Sequence, residues 1–67
     1  MKYRSAGQIG PEHIGRRVTV RRALPEGGYA DVLGVCEQAD ADSVTVRNKE
    51  GEAIVIERSQ IAAARVV

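Results

Sequence analysis

The feature that most constrains the fold of this chain is a pair of short stretches in which apolar and polar residues alternate, separated by a turn-forming tetrapeptide. Val44 and Val46 alternate with polar residues before the tetrapeptide "NKEG", and Ile54 and Ile56 recur at the same spacing after it. Alternation with a period of two is typical of a strand with one buried face, and Asn and Gly tolerate the dihedral angles of a tight turn. The pattern predicts a β-hairpin made of residues 44–47 and 52–57.

The stretch "RRVTVRR", residues 16–22, has the same period and predicts another strand. Val18 and Val20 are expected to face the core, whereas Arg17, Thr19 and Arg21 are expected to face solvent. The following residues, 23–31, contain one proline and two glycines and predict a loop.

Residues 31–38, "DVLGVCEQ", are apolar on both faces with Gly34 in the middle. This pattern favours a strand bent at Gly34 that contributes to two sheets. After the hairpin, "RSQI" is short enough for a single 3₁₀ turn. The final stretch, residues 62–67, is interpreted as a last strand, although its alanines also fit the start of a helix.

These elements predict an all-β fold, a small barrel of about five strands with one short 3₁₀ turn before the last strand. Closure into a barrel removes the exposed strand edges that a small sheet would otherwise have. Residues 1–13 are interpreted as a polar lead-in and residues 14–67 as the barrel. The expected core is Val18, Val20, Leu33, Val35, Cys36, Val44, Val46, Ile54, Ile56 and Ile61.

Composition argues against several kinds of site. Cys36 is the only cysteine and His13 the only histidine, so we expect no internal disulfide, no metal site and no cofactor. Cys36 lies in the most apolar stretch and is interpreted as a buried, inert thiol. No catalytic residue is assigned, because Glu12 and His13 fit an exposed turn without a nucleophile nearby. Two tyrosines and no tryptophan are too few aromatic residues for a proline-rich peptide groove or a methyl-lysine cage.

The sequence contains no recognisable targeting segment. The N-terminal "MKYRSAGQIG" lacks the apolar run of a signal peptide, and no stretch of about 20 apolar residues occurs. We therefore expect a cytoplasmic protein that does not bind a membrane.

The predicted order of elements, with one 3₁₀ turn before the last strand, resembles the SH3-like barrel. A narrower resemblance is carried by "GRRVTVRR" with "LPEGG", by "ADVLGV" and the acidic turn after it, and by "VTVRNKEGE" and "IAAARVV". Over residues 14–67, these stretches are similar to the SH3-like domain at the N-terminus of certain bacterial GNAT-type N-acetyltransferases. The resemblance implies a non-catalytic accessory or protein-interaction domain that precedes an acetyltransferase domain. No part of this chain corresponds to that catalytic domain, so the chain itself is expected not to be an enzyme.

Charge is distributed unevenly along the chain. The net charge is only +1, but residues 1–22 carry six basic side chains and one acidic, whereas residues 23–67 carry four basic and eight acidic. Such asymmetry is typical of an interaction surface. The candidate surface consists of Arg17 and Arg21 from one strand, Arg47 from the hairpin, and Tyr29 as an amphipathic anchor.

Two kinds of partner fit this surface. The first is a protein, which includes the acetyltransferase domain of a parent chain. The alternative is RNA or DNA, bound by Arg17, Arg21 and Arg47 with help from Lys2 and Arg4. The isoelectric point near 7.9 argues against the alternative, since nucleic-acid-binding domains are usually more basic. The oligomeric state is left open.

Overall fold

The computed structural model describes residues 9–67, so Lys2 and Arg4 of the sequence prediction lie outside the described residues. They form five strands, β1 (Arg17–Ala23), β2 (Tyr29–Ala39), β3 (Ser43–Arg47), β4 (Ala53–Glu57) and β5 (Ile61–Val66). Short 3₁₀ turns, Pro11–His13 and Arg58–Gln60, lie before β1 and directly before β5. The all-β class, the number of strands and the 3₁₀ turn before the last strand are confirmed. The alanines near the end of the chain belong to a strand and not to a helix.

The strands form one antiparallel sheet in the order β4-β3-β2-β1-β5. Within residues 9–67, no backbone pairing joins the edge strands β4 and β5, so the sheet is not closed by hydrogen bonds. The sheet nevertheless wraps around a single core, since Ile56 of β4 and Ala64 of β5 belong to the same buried cluster. The strands thus surround one core as in the predicted barrel, but the closure expected of a barrel is not formed by hydrogen bonds between β4 and β5.

Local side-chain chemistry explains the turn between β3 and β4. The Oδ1 atom of Asn48 accepts hydrogen bonds from the backbone N–H groups of Glu50 and Glu52, at 3.0 and 2.9 Å. Gly51 has a φ angle of 84°, which glycine adopts without steric penalty. These local interactions are why the hairpin is predictable from sequence.

The strand β2 changes partner along its length. It pairs with β1 up to Val35 and with β3 from Val35 onward. Gly34 lies at this change, and an added Cβ atom there would overlap the carbonyl oxygen of Arg47. A glycine is therefore required by the close approach of β3. The two parts of β2 belong to one sheet, not to the two sheets that the sequence predicts.

The core is a single cluster of aliphatic side chains and one thiol. Most of the predicted core residues are confirmed as buried, and Ile54 is partly buried against them. The buried apolar residues of the described chain are Ile9, Val18, Val20, Val32, Cys36, Ala39, Val44, Val46, Ile56, Ile61 and Ala64. Ile9 precedes the predicted start of the barrel, and the proposed division between residues 13 and 14 stays a prediction.

The core prediction is wrong for Leu33 and Val35, which are 61% and 38% exposed. Val32 lies opposite Val20 in the sheet and therefore shares its buried face, whereas Leu33 lies opposite Thr19 on the other face. Because both the odd-numbered and the even-numbered positions of this segment are apolar, its periodicity does not indicate which of the two sets of side chains is buried. The pairing register decides it.

The prediction that Thr19 faces solvent is also wrong, since this residue is only 3% exposed. It does lie on the face opposite the core, but β1 is an interior strand of the sheet. Leu33 on β2 and Arg65 on β5 lie directly opposite Thr19 on its two sides. We attribute its burial to these longer neighbours.

Candidate interaction surface

The sheet face opposite the core, called the outer face below, carries all four residues of the predicted surface. Arg17 lies opposite Val35, and Val35 lies opposite Arg47, so the two arginines flank one valine across three strands. Arg21 follows Arg17 by four residues and therefore shares its face. Tyr29 shares the face of Val35 by the same alternation and is exposed.

Two of the three predicted arginines are bonded to carboxylates of the same face. Arg21 Nε lies 3.0 Å from Asp31 Oδ1, directly across the sheet. Arg47 Nε lies 2.6 Å from Glu37 Oε2. The hydrogen bond with Arg47 lowers the pKa of the Glu37 carboxyl, and the same bond raises the pKa of Arg47. These arginines are thus partly neutralised within the domain.

Arg17 differs from them. Its side chain has no hydrogen bond or ion pair with any residue in the described part of the chain. It is exposed, and Val67 at the end of β5 donates a backbone hydrogen bond to its carbonyl oxygen at 2.9 Å. Of the predicted arginines, Arg17 is the one whose charge is available to a partner.

Three exposed apolar side chains surround Arg17 on the outer face. They are Leu33, Val35 and Val67, of which Val67 is 54% exposed. Contiguous exposed apolar surface rimmed by polar groups is typical of an interaction site. We call the set of Arg17, Leu33, Val35 and Val67 the outer patch. Sequence reasoning missed its apolar part because it assigned Leu33 and Val35 to the core.

An open groove of about 770 Å³ runs beside the outer patch. Residues 30–35 of β2 form one wall, and residues 48–50 of the β3–β4 turn contribute to the other. Arg17, Arg22 and Arg65 also line it. The Nε atom of Arg22 is buried without a hydrogen-bond partner among residues 9–67. The only sequence signal for this basic lining was the count of arginines in β1.

Comparison with known protein families adds an independent observation. Residues 12–65 match the family described as the Rv0428c N-terminal Sm-like domain. This chain belongs to that family. Neither a curated protein nor a solved structure matches the chain. An Sm-like domain is a small antiparallel β-sheet fold, so the resemblance to the SH3-like barrel holds at the level of the fold.

The remaining candidate groups of this Sm-like domain lie in the segment before β1 and in the core. The prediction of an exposed turn is wrong for His13, whose side chain is 12% exposed, and is confirmed for Glu12. His13 Nδ1 accepts a hydrogen bond from the backbone N–H of Gly10 at 3.1 Å, and the Glu12 carboxylate lies 3.8 Å from the same nitrogen. Cys36 is fully buried, which confirms its predicted burial, and burial raises the pKa of its thiol; its inertness stays a prediction. Within residues 9–67, no three His, Cys, Asp or Glu side chains are grouped to hold a metal ion. Nor do these residues include a helix that could cross a membrane.

Proposed function

We propose that this Sm-like domain is a non-catalytic interaction domain that binds a protein surface through the outer patch. The observation that carries the proposal is the exposure of Leu33 and Val35 beside Arg17. Burial of such aliphatic side chains against a partner is favourable by about 25 cal/mol per Å² of apolar surface. The non-catalytic role is supported by His13 and Cys36, whose side chains are engaged or buried within the fold.

We further propose that the partner is a GNAT-type acetyltransferase domain of the parent chain. The resemblance of residues 14–67 to domains that precede such enzymes supports this. The family description names an N-terminal domain, which fits a domain that precedes another one in a parent chain. Val67 belongs to the outer patch, so residues following Val67 in a parent chain would begin at the proposed docking surface.

The reading frame beyond codon 67 in the source genome is the first test. Continuation into an acetyltransferase domain, or an acetyltransferase gene alongside, is the expected result. A stop codon without such a gene nearby would remove the acetyltransferase from the proposal.

Binding to that acetyltransferase domain is the second test, measured by calorimetry with the separate 67-residue chain. Leu33→Glu is expected to weaken binding by about tenfold or more, since it places a charge in the centre of the interface. Val55→Glu is the matched control, because Val55 is equally exposed but lies on β4, outside the patch. Equal affinities of the two variants would contradict the outer patch as the docking surface.

RNA or DNA binding through Arg17, Arg21 and Arg47 is the second candidate function. The observation that favours it is the basic lining of the groove, where Lys49 and Arg22 add to Arg17. The bonds that Arg21 and Arg47 make with carboxylates argue against it.

A titration with mixed oligonucleotides at about 50 and 200 mM salt separates the two functions, because phosphate contacts make affinity fall steeply with salt. We expect no binding at the lower salt concentration. Salt-dependent binding that Arg17→Ala weakens would support the second candidate instead.

A further inference from the structure

The first half of β2 has one open edge. Residues 29–35 pair with β1, whereas pairing with β3 begins only at Val35. The strand β3 ends at Arg47, opposite Val35, and the chain passes close to Gly34 before it enters the β3–β4 turn. Within the described residues, no strand therefore pairs with residues 29–33 on the side away from β1.

The hydrogen bonds at Cys36 show which backbone groups face this edge. Cys36 donates its N–H to the carbonyl oxygen of Arg16 and accepts from the N–H of Gly15, so its groups face the β1 side. Successive residues of a strand direct these groups to opposite sides. Because the β1–β2 register is unbroken, Asp31 and Leu33 direct their N–H and C=O groups away from β1. None of these four groups has a backbone partner in the described part of the chain.

The groove described above includes this edge and extends from it past β1 to Arg65 and Val67. Residues 30–35, which are consecutive, line this part of the groove. Their side chains alternate between the two faces of the sheet, so both faces border the groove, as they do at the edge of a strand. Leu33 provides an apolar border on the outer face, and Val32 with Ile54 provides one on the core side. Backbone donors and acceptors lie between two apolar borders, as they do where a strand is added to a sheet.

The charges of the groove indicate the chemistry of the added strand. Arg17, Arg22 and Lys49 line it and form no ion pair within residues 9–67. Of its acidic residues, Asp31 is bonded to Arg21, which leaves Glu50. The basic side chains therefore exceed the acidic ones that are free to neutralise them.

We propose that the open edge of β2 binds an extended acidic peptide segment, which adds to the sheet as a further strand beside residues 29–33. Its alternate side chains lie against Leu33 on one face and against Val32 and Ile54 on the other. Its carboxylates approach Arg17 and the neighbouring cations. This inference rests on the proposed protein-interaction function, for which it names the kind of partner segment.

The probe is a synthetic heptapeptide of alternating Glu and Val, blocked at both ends, titrated into the ¹⁵N-labelled chain and followed by NMR. The expected result is saturable shifts of the Asp31 and Leu33 amides, with slower exchange of their protons with solvent. A peptide with Lys in place of Glu is expected not to bind. No shift at about 1 mM acidic peptide, a very weak affinity for a recognition site, would overturn the proposal.

Backbone pairing is tested by two N-methylated peptides, one methylated at every Val and the other at every Glu. Only one set of alternate N–H groups faces the β2 edge, so one peptide is expected to bind at least about tenfold more weakly than the other. Equal affinities would show that binding does not use the strand edge and would overturn the proposal.

Two adjacent arginines provide a matched pair of protein variants. Arg17→Glu reverses a charge in the groove and is expected to weaken acidic-peptide binding by about tenfold. Arg16→Glu makes the same change outside the groove and is expected to leave binding within about twofold. Equal effects would contradict the assignment of the acidic segment to this groove.

Leu33→Pro removes one N–H group of the edge without removing a bond to β1, and it is expected to abolish binding. If that variant does not fold, the arginine pair and the methylated peptides still decide the question. Binding of the acetyltransferase domain without binding of the peptide would refute this inference and leave the proposed function standing. Absence of both would refute both.

Discussion

The guanidinium of Arg58 donates a hydrogen bond to the carbonyl oxygen of Ile9 at 2.7 Å, across 49 positions of sequence. Its Nε atom donates to the carbonyl oxygen of Asp40 at 2.6 Å, and its backbone N–H donates to the backbone carbonyl oxygen of Asp42 at 2.9 Å. One residue of the 3₁₀ turn before β5 thus connects the segment before β1 with the turn between β2 and β3. Because Ile9 is buried in the core, this connection stabilises the packing of the first described residues.

Arg58→Ala is expected to lower the free energy of unfolding by about 2–3 kcal/mol, since hydrogen bonds from a charged donor are stronger than neutral ones. Arg58→Lys keeps the charge but lacks the planar fork that reaches two carbonyl oxygens, and it should recover less than half of the loss. Urea denaturation measures both. Arg16→Ala is the control, and an Arg58→Ala value within about 0.5 kcal/mol of the wild type would refute the prediction.

Gly34→Ala is expected to destabilise the fold by about 1–3 kcal/mol, because the added methyl group overlaps the carbonyl of Arg47 and forces β2 and β3 apart. Gly10→Ala is the matched control. The new Cβ there meets only the carboxylate end of Glu12, which can move away. Thermal and urea denaturation compare the two, and a smaller effect at Gly34 than at Gly10 would contradict the prediction.

The stability contributed by Asp40 should depend on pH. Its carboxylate accepts hydrogen bonds from the backbone N–H groups of Asp42 and Ser43, both at 2.9 Å, and these bonds lower its pKa from the ordinary value of 3.8. The folded state therefore binds the proton more weakly than the unfolded state does. The stabilisation is fully present above pH 3.8 and disappears as the pH falls through the folded-state pKa.

The free energies of unfolding of wild type and Asp40→Ala should accordingly converge as the pH is lowered from neutral to about 2.5. Urea denaturation across this range provides the measurement. Asp42→Ala serves as the control, because the Asp42 side chain makes no hydrogen bond among the described residues and its effect should not follow the same profile. A difference between wild type and Asp40→Ala that is independent of pH would contradict the assignment.

The thiol of Cys36 should be unreactive in the folded protein. It is fully buried, and burial raises its pKa, so the reactive thiolate is both rare and inaccessible. Labelling by a maleimide should occur only on unfolding and should accelerate with urea in parallel with loss of structure. Rapid labelling of the native protein without unfolding would contradict this.

Truncation of two aliphatic residues should test the corrected core. Ile56→Ala removes a fully buried side chain and should cost about 2–5 kcal/mol. Leu33→Ala removes a side chain that is 61% exposed and should cost less than about 1 kcal/mol. Equal losses of the free energy of unfolding in the two variants, measured by urea denaturation, would contradict the position of Leu33 outside the core.

Much of the fold could be predicted because its strands have a clear local period. The burial of Val18, Val20, Val44 and Val46 is confirmed, although Thr19 on the other face of β1 is buried as well. The hairpin turn is predictable because the side chain of Asn48 bonds within four residues of itself. The four candidate surface residues share one face for the same reason of alternation, although their binding role stays a prediction.

The pairings across the sheet could not be predicted in this way. The partners of Arg21 and Arg47 are Asp31 and Glu37, each ten positions away in sequence. No local pattern indicates these contacts, because they depend on the register of neighbouring strands. The sequence did not predict the outer patch for the same reason, because Leu33 lies in a segment whose odd-numbered and even-numbered positions are both apolar.

The amino-acid sequence by itself determined where strands and turns form, because alternation, glycine conformations and side-chain bonds within a turn act over a few residues. Tertiary structure determined which face of β2 is buried, that Thr19 is covered, that Arg58 reaches Ile9, and that Asp31 and Leu33 border an open edge. Each of these depends on contacts between segments that are far apart in the sequence. Those contacts are set by the packing of the whole sheet around its core, and no short segment contains them.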